Sequence, residues 1–340
     1  MKQKGLFDEA DRLKRLSELG DSLEKLNVFI NWEDFRSILN KAFKKEPVAP
    51  GGRPPFDYIM MFKILILQKL YNISDDQTEF QINDRLSFQR FLGLELCDKV
   101  PDAKTIWHYR EELKKANVLD TIFYRFVDQL ENKNIITRSG SIVDASFVNV
   151  PRQRNTKEEN KEIKEGEIPG EWQNPEKRNM LAQKDTDARW TTKNKQRHYG
   201  YKDHIKIDKK SKIITKYSVT SAEVHDSQEL KNLIEKKKDR RLYGDSAYTG
   251  EEVQKFIPKN ISNRIHEKGY RNRPLTEAQK RENTAKSRIR ARVEHVFAAM
   301  KHFGGMFIRT IGTARAKIQI GLLNLTYNLT RYAYIMGAKT

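Results

Sequence analysis

The spacing of apolar residues changes once along this chain, after Gly140. Before that point, apolar residues recur three and four positions apart, as in the segment 59–70, which predicts a series of helices. After it, the β-branched residues of 141–150 predict a strand. Because a helical period and a strand period cannot share one element, the chain divides into a helical region, 1–137, and a mixed α/β region, 138–340.

The second region alternates segments of strand and helix character. We expect strands at 141–150, 198–208, 213–220, 241–243 and 261–266, and helices at 226–237, 250–256 and 277–302. This order predicts helices packed on a mixed sheet. Residues 151–197 interrupt it and are rich in charged and amide side chains. We therefore expect a polar insertion after the first strand that lacks a core of its own and is partly mobile.

The charge of the chain limits its partners. It has 65 Lys+Arg against 46 Asp+Glu, a formal net charge of +19, and a pI near 9.7. Such an excess predicts a polyanionic partner, nucleic acid first and an anionic membrane surface second. The single cysteine, Cys97, excludes disulfide frameworks and cysteine-based zinc sites and favours the cytoplasm. Lys63 interrupts the longest apolar run, 59–67, so no membrane-spanning helix is expected.

Two acids lie where strands are predicted to present side chains. Asp144 follows Ile142 and Val143 in an apolar strand, where an unpaired carboxylate is costly to bury. Asp245 follows the short strand 241–243, at the turn into the next segment. Ligands bind at the carboxyl ends of strands in open α/β sheets, although either acid alone could simply cap a turn or helix.

A third acid lies on the last predicted helix of the sheet region. Arg290, Glu294 and Lys301 occur at i, i+4 and i+11, which places them at about 0°, 40° and 20° on one polar stripe. An exposed Arg–Glu pair worth a few tenths of a kcal/mol is the simplest explanation. However, Glu294 is the only acid after Glu282 and is surrounded by cations. The cations expected to bind DNA phosphates are Arg288, Arg290, Arg292 and Lys301.

Three carboxylates beside a basic surface suggest two-metal phosphoryl transfer. Carboxylate oxygens suit Mg²⁺ or Mn²⁺, and two such ions can activate an attacking oxygen and stabilise a leaving one. We therefore expect Asp144, Asp245 and Glu294 to be both the metal ligands and the catalytic residues for two ions.

Other polar and aromatic residues have simpler explanations. Asp203, His204 and Asp208 lie along one predicted strand and could imitate a metal cluster, but we expect His204 and Asp208 to be solvated or hydrogen-bonded. Asp226 is most simply a helix N-cap. The tryptophans 107, 172 and 190 could stack on DNA bases, and the one at 107, within a helical segment, is expected in the core.

The three acids resemble the Asp-Asp-Glu triad of bacterial insertion-sequence transposases, whose catalytic core is ribonuclease-H-like. Their separations are 245 − 144 = 101 and 294 − 245 = 49 residues. The pattern Arg290-x3-Glu294-x6-Lys301 is similar to a signature of the IS-four-like superfamily. That signature usually has Tyr three residues before the Arg. Ser287 occupies that position here, which looks more like the IS-five group. Further segments fit that group: 52–57, 72–75, 88–93, 187–190, 198–202, 220–227 and 324–331.

The resemblance implies a function for each region. Residues 1–137 would recognise the terminal inverted repeats and help form a homodimer or larger assembly on DNA. Residues 138–340, with the insertion 151–197, would be the ribonuclease-H-like catalytic domain. The enzyme would cleave double-stranded DNA at those repeats and join the freed 3′-hydroxyl to target DNA, in the bacterial cytoplasm and at the nucleoid when bound to DNA.

Two other functions stay open from the sequence. A ribonuclease-H-like nuclease needs the same metals but performs no strand transfer. A non-catalytic DNA-binding regulator explains the basic charge equally well, but it leaves the ordered acids without a role.

Overall fold

The computed structural model describes residues 8–43, 54–193 and 195–338. Its contacts divide the chain into two units, Met1–Arg125 with Leu325–Thr340, and Phe126–Asn324. The second unit therefore begins before residue 138, and the helical unit includes residues from the end of the chain. Gly52 and Arg53, at the start of one segment used for the family resemblance, lie outside the described residues. No helix in the described ranges is long and apolar enough to cross a membrane.

Helices make up the regular structure described before residue 140. They are α1 Asp8–Glu18, α2 Ser22–Phe29, α3 Arg36–Phe43, α4 Tyr58–Tyr71, α5 Asp75–Asp84, α6 Leu86–Leu92, α7 Ala103–Ala116 and α8 Leu119–Asn132. Helix α4 begins where the Asp57 carboxylate accepts the N–H of Met60, and it ends at Asn72 in the left-handed conformation. Its apolar residues are buried on every side, so α4 is the central helix of this core.

The sheet of the second unit has six strands. They are β1 Ser141–Asn149, β2 Arg189–Lys193, β3 Gln196–Asp208, β4 Ile214–Ser221, β5 Arg241–Tyr243 and β6 Ser262–Asn263. The order is β2-β3-β1-β5-β6, and β4 also pairs with β3. Strand β3 runs antiparallel to β1, β2 and β4, whereas β5 runs parallel to β1 and β6.

The remaining helices lie between or after these strands. They are α9 Lys157–Glu165, α10 Arg178–Leu181, α11 Leu230–Leu233, α12 Glu251–Gln254, α13 Glu277–His302 and α14 Thr313–Gly337. One apolar cluster joins β1 and β5 to α11, and another joins β1, β3 and β4 to α14. A helical N-terminal region followed by a mixed sheet with flanking helices confirms the predicted ribonuclease-H-like fold class.

The polar insertion 151–197 makes more contacts, within itself and with the sheet, than its composition predicts. Its last part, β2, pairs with β3, so the segment outside the sheet ends near residue 188 rather than 197. Trp172 is fully buried, donates to Glu159 at 2.7 Å and has the Lys184 ammonium 4.8 Å from its ring. The expectation that 151–197 holds no core was therefore wrong, because one large aromatic side chain organises a small one. Its mobility stays a prediction.

Three short elements differ from their predicted lengths. The helix expected at 226–237 is a 3-10 turn, Asp226–Glu229, followed by the four residues of α11. The helix at 250–256 shrinks to α12, and the strand at 261–266 to the two residues of β6. In each case contacts with the sheet, rather than local periodicity, decide where the element ends.

Candidate active site

Strand pairing brings two of the three predicted acids together. The parallel register of β1 and β5 pairs Ile142 with Tyr243, and continuing it by two residues places Asp144 beside Asp245. Gly244 permits this close approach, because a Cβ there would lie 3.1 Å from side-chain carbons of both Val143 and Tyr248. Asp245 therefore follows the carboxyl end of β5, where ligands bind in such sheets, and Asp144 lies beside it as the fourth residue of the neighbouring parallel strand β1.

Each aspartate is oriented by hydrogen bonds. Asp144 accepts from the N–H of Ala145 at 2.9 Å and from the Arg290 guanidinium at 3.0 Å. Asp245 caps the turn that follows β5 by accepting from the N–H of Ala247 at 2.9 Å. These bonds leave further lone pairs on both carboxylates, so both can still bind a cation.

Asp144 lies in an environment that disfavours its ionised form. The pKa of Asp144 is raised to about 6, chiefly by burial and also by the nearby Asp245 carboxylate, although Arg290 and Lys193 act in the opposite direction. Bringing a cation close to Asp144 would favour its ionised form. This is the behaviour expected of metal-binding carboxylates.

Helix α13 links the third acid to the first through Arg290. One nitrogen of Arg290 lies 3.0 Å from Asp144, and the other lies 3.9 Å from a Glu294 oxygen. The Glu294 side chain is 67% exposed. Among the residues with described placement, no three His, Cys, Asp or Glu side chains are close enough to hold one metal ion. The guanidinium therefore lies between Asp144 and Glu294, where a cation would be expected.

The other predicted DNA-binding cations of α13 leave the helix in different directions. Lys301 is exposed and shares the stripe of Arg290. Arg288 is exposed but lies about 160° around the helix from Arg290. Arg292, about 200° away, donates to the backbone carbonyl of Lys209 at 2.6 Å and so holds α13 against the turn after β3.

Two further residues lie near the acids, and sequence reasoning missed the second of them, Tyr248. Lys193, at the end of β2, lowers the pKa of Asp144 and lies 3.4 Å from Asp226. Tyr248 is fully buried, and its hydroxyl has no hydrogen-bond partner. Burial and the charges of Asp144, Asp226 and Asp245 raise its pKa well above the usual value. The turn Asp245–Tyr248 was visible in the sequence, but nothing local indicated that the phenol faces the acids.

The residues that could imitate a metal cluster belong to separate structural contacts. His204 bonds to Thr220 at 2.9 Å, Asp203 accepts from Asn324, and Asp208 caps the turn after β3. His204 and Asp208 are hydrogen-bonded as predicted, but both are buried rather than solvated.

The prediction for Asp226 was wrong. His225 caps the 3-10 turn, while Asp226 pairs with the buried Lys202 at 2.8 Å. The ion pair with Lys202, a residue of β3, therefore takes the place of the predicted capping role.

Comparisons with known proteins identify the family of this chain. Residues 136–329 match the family described as "Transposase DDE domain", and residues 11–112 match "Transposase domain (DUF772)". The chain belongs to the DDE transposases. As a DDE transposase it is a metal-dependent enzyme that cleaves DNA. Among solved structures, it resembles the piggyBac transposase synaptic complex with hairpin DNA, determined by cryo-EM. That likeness has a TM-score of 0.45 and 13% identity, over 94% of this chain and 76% of that one.

Proposed function

We propose that this DDE transposase cleaves an insertion sequence at its terminal inverted repeats and joins the freed 3′-hydroxyl to target DNA by two-metal-ion phosphoryl transfer. The observation that supports this most is the placement of Asp144 beside Asp245, with the Arg290 guanidinium between Asp144 and Glu294. Membership of the IS-five group, suggested by Ser287, belongs to the same proposal.

Asp144, Asp245 and Glu294 would hold two Mg²⁺ or Mn²⁺ ions. The donor set fits hard divalent cations, because all three ligands are carboxylates and Asp144 lies buried beside a second carboxylate, Asp245. The ions, when bound, supply charge stabilisation for the attacking and leaving oxygens. In our proposal Arg290 holds Asp144 in place without DNA and turns to a phosphate when DNA binds, which frees the carboxylate.

The partners follow from the chemistry. Double-stranded DNA carrying the inverted repeats would bind first, and target DNA second. We infer a homodimer or larger assembly on DNA, because two ends must be joined in one event. The helical region would recognise the repeats, and Lys301, Arg288 and Arg292 would add phosphate contacts.

The test uses DNA from the flanks of the gene. A labelled duplex that carries a flanking inverted repeat is incubated with the protein, Mg²⁺ and a supercoiled plasmid. We expect Mg²⁺-dependent cleavage at the repeat end and labelled DNA joined to the plasmid, with neither product in EDTA. Cleavage without any joined product would favour a nuclease without strand transfer over the proposed transposase. No cleavage of any repeat-bearing duplex would contradict both of these functions.

Replacing Lys301 with Ala should weaken DNA binding and reduce the slope of log K against log salt by about 1, if it makes one phosphate contact. Lys301 is exposed on the stripe of Arg290, so its loss should not unfold the helix. Binding is measured by fluorescence anisotropy over a range of salt concentrations. The matched control is Lys255→Ala, which removes an exposed lysine paired with Glu252 on α12. Equal slopes for the Lys301 variant and the wild type would make Lys301 an ordinary surface residue.

A further inference from the structure

A cavity of about 340 Å³ lies beyond the end of β1, in the unit that holds the catalytic acids. Its walls come from three segments: 150–154 after β1, 180–185 within the polar insertion, and 309–311 after α13. The N–H of Asn149 donates to Met306 at 2.9 Å, and the N–H of Ile308 donates to Asn149 at 3.0 Å. Backbone pairing therefore holds the segment after α13 beside the segment after β1.

Three arginines of this cavity have no acid to pair with. Arg152, Arg154 and Arg309 are exposed, and none of them forms an ion pair within the described part of the chain. The Arg152 guanidinium lies 5.7 Å from the Trp190 ring, and the Arg309 guanidinium lies 5.9 Å from the Phe307 ring. These ring contacts leave the charge of both guanidinium groups without a counter-charge.

The other charged residues of the cavity wall are engaged by their own contacts. The Lys184 ammonium donates to the backbone carbonyl of Arg154 at 3.0 Å and to the Asn155 side chain at 2.6 Å. Asp185 is buried, and the Tyr201 hydroxyl lies 2.9 Å from each of its carboxylate oxygens. Among the described residues, the wall therefore has four cationic side chains against one acid, which suits an anion.

Two buried polar atoms of the wall also favour a ligand. The Thr310 hydroxyl and the Gln153 amide oxygen have no hydrogen-bond partner on any described residue. Leaving buried polar atoms unpaired is unfavourable, so such atoms in a cavity wall indicate a ligand that pairs with them. Thr310 can donate to a phosphate oxygen, and the Gln153 amide can do so when its NH₂ is turned toward the cavity. Because a guanidinium can donate to two phosphate oxygens at once, the donors of this cavity match phosphate.

The length of β1 sets the distance between the cavity and the catalytic acids. Val150, in the cavity wall, follows Asp144 by 150 − 144 = 6 residues, and its N–H still pairs with Tyr199 at 3.0 Å. The extended chain between Asp144 and Val150 therefore spans about 20 Å. At about 3.4 Å per base pair, a duplex that follows β1 covers this distance in about six base pairs.

Helix α13 leads in the same direction. Arg290 on this helix contacts Asp144, whereas Met306, just after the helix, contacts Asn149 near the cavity. Lys301 lies between these two contacts in the sequence and is exposed. The cations of α13 therefore lead from the catalytic acids toward the cavity.

We propose that this cavity binds one backbone phosphate of the end duplex, about six base pairs from the bond that is cleaved. Arg154 and Arg309 bind the phosphate oxygens, and Thr310 adds a neutral donor. The contact fixes the register of the duplex over the catalytic acids and takes no part in the reaction. The inference rests on the proposed cleavage at a repeat end, because the distance is counted from that bond.

The test removes the charge of one phosphate at a time. End duplexes carry a single methylphosphonate at successive positions, from about three to about nine base pairs on either side of the cleaved bond, a range that brackets the expected position. Binding is measured by fluorescence anisotropy in EDTA, so that no cleavage occurs. The wild type should bind about tenfold more weakly when the phosphate held by the cavity is replaced, as for one charge-assisted contact. Other phosphate contacts also lower the affinity when replaced, so variants are needed to assign the position.

Arg309→Ala should identify the phosphate. This variant should bind the unsubstituted duplex about tenfold more weakly, with a salt slope smaller by about 1. The methylphosphonate at the position held by the cavity should then weaken binding no further, whereas the other positions should act as in the wild type. Arg309→Lys should keep part of the affinity, because it retains the charge but not the paired donors.

Arg241→Ala is the matched control. Arg241 is an exposed arginine at the start of β5, and its neighbour Leu242 pairs with Ser141 at the opposite end of β1. This variant should keep the wild-type affinity and the wild-type pattern of methylphosphonate effects. The same pattern in Arg309→Ala as in the wild type, at every position tested, would overturn the inference. A wild type that cleaves no repeat-bearing duplex in Mg²⁺ would instead contradict the proposed function on which the inference rests.

Discussion

Replacing Asp144 with Asn should abolish cleavage of the end duplex, by on the order of 10³-fold or more, while leaving DNA binding within a few-fold of the wild type. A loss of cleavage rate of this size is typical when one main electrostatic contact of an active site is removed. Asn keeps the shape and the bond from Ala145 but removes the charge that faces Asp245 and Arg290. Binding should survive, because most protein–DNA contacts are made to phosphates rather than through the metal ligands. Cleavage is measured on labelled duplex and binding by anisotropy.

Loss of cleavage with retained DNA binding is also expected for Asp245→Asn and Glu294→Gln. The Glu294 variant is the more stringent test of the catalytic assignment. Glu294 is 67% exposed and 3.9 Å from Arg290, so as a surface ion pair alone its loss would cost well under 1 kcal/mol and leave cleavage intact. Asp128→Asn is the matched control, since its side chain is 60% exposed and belongs to the same unit. Cleavage at the control rate in Glu294→Gln would remove Glu294 from the catalytic set.

Asp203→Asn should make the protein more stable than the wild type above neutral pH, with the difference shrinking toward pH 5. Asp203 is fully buried on β3, and burial raises its pKa to about 7 despite the bond from the Asn324 amide. Its second oxygen and the Asn324 carbonyl oxygen both lack a partner. A protonated Asp203 could donate from that oxygen to Asn324, whereas an ionised one could not.

The direction in which stability changes with pH follows from how the folded and unfolded chains bind the Asp203 proton. Because the pKa of Asp203 is higher in the folded than in the unfolded chain, the folded state holds the proton longer, and stability falls as pH rises from about 4 to about 7. The rise from 3.8 to about 7 corresponds to a loss of at most about 4 kcal/mol. Asn cannot ionise, so its variant escapes this loss. Thermal unfolding midpoints at pH 5 and pH 8 measure it, and a variant whose advantage does not grow with pH would contradict the prediction.

Long elements with strong local signals could be predicted closely. Helix α13 spans Glu277–His302, as predicted, and it begins where the Thr276 side chain and Gln279 form a capping box. Strand β1 was predicted to within one residue by its β-branched content. The short elements α11, α12 and β6 could not be predicted, since elements of two to four residues have little intrinsic stability and depend on the sheet that they join.

The burial of single tryptophans was predicted poorly from the sequence. Trp107, expected in the core, is 48% exposed on α7, whereas Trp172, in a polar insertion, is fully buried. Whether a tryptophan is buried depends on which residues pack against it, and these are not set by its neighbours in the sequence.

The sequence by itself determined that Arg290, Glu294 and Lys301 share one stripe, because the helix period fixes angles between residues a few positions apart. It also determined that Asp144 lies in a strand and that Asp245 follows one. Only the tertiary structure decided that these two acids are neighbours, since parallel pairing joins segments 245 − 144 = 101 residues apart. It alone placed the Arg290 guanidinium on Asp144, 146 positions away, and His266 on Ser287. Such contacts depend on strand register and on helix packing, and these arise from the summed burial of many side chains rather than from any local pattern.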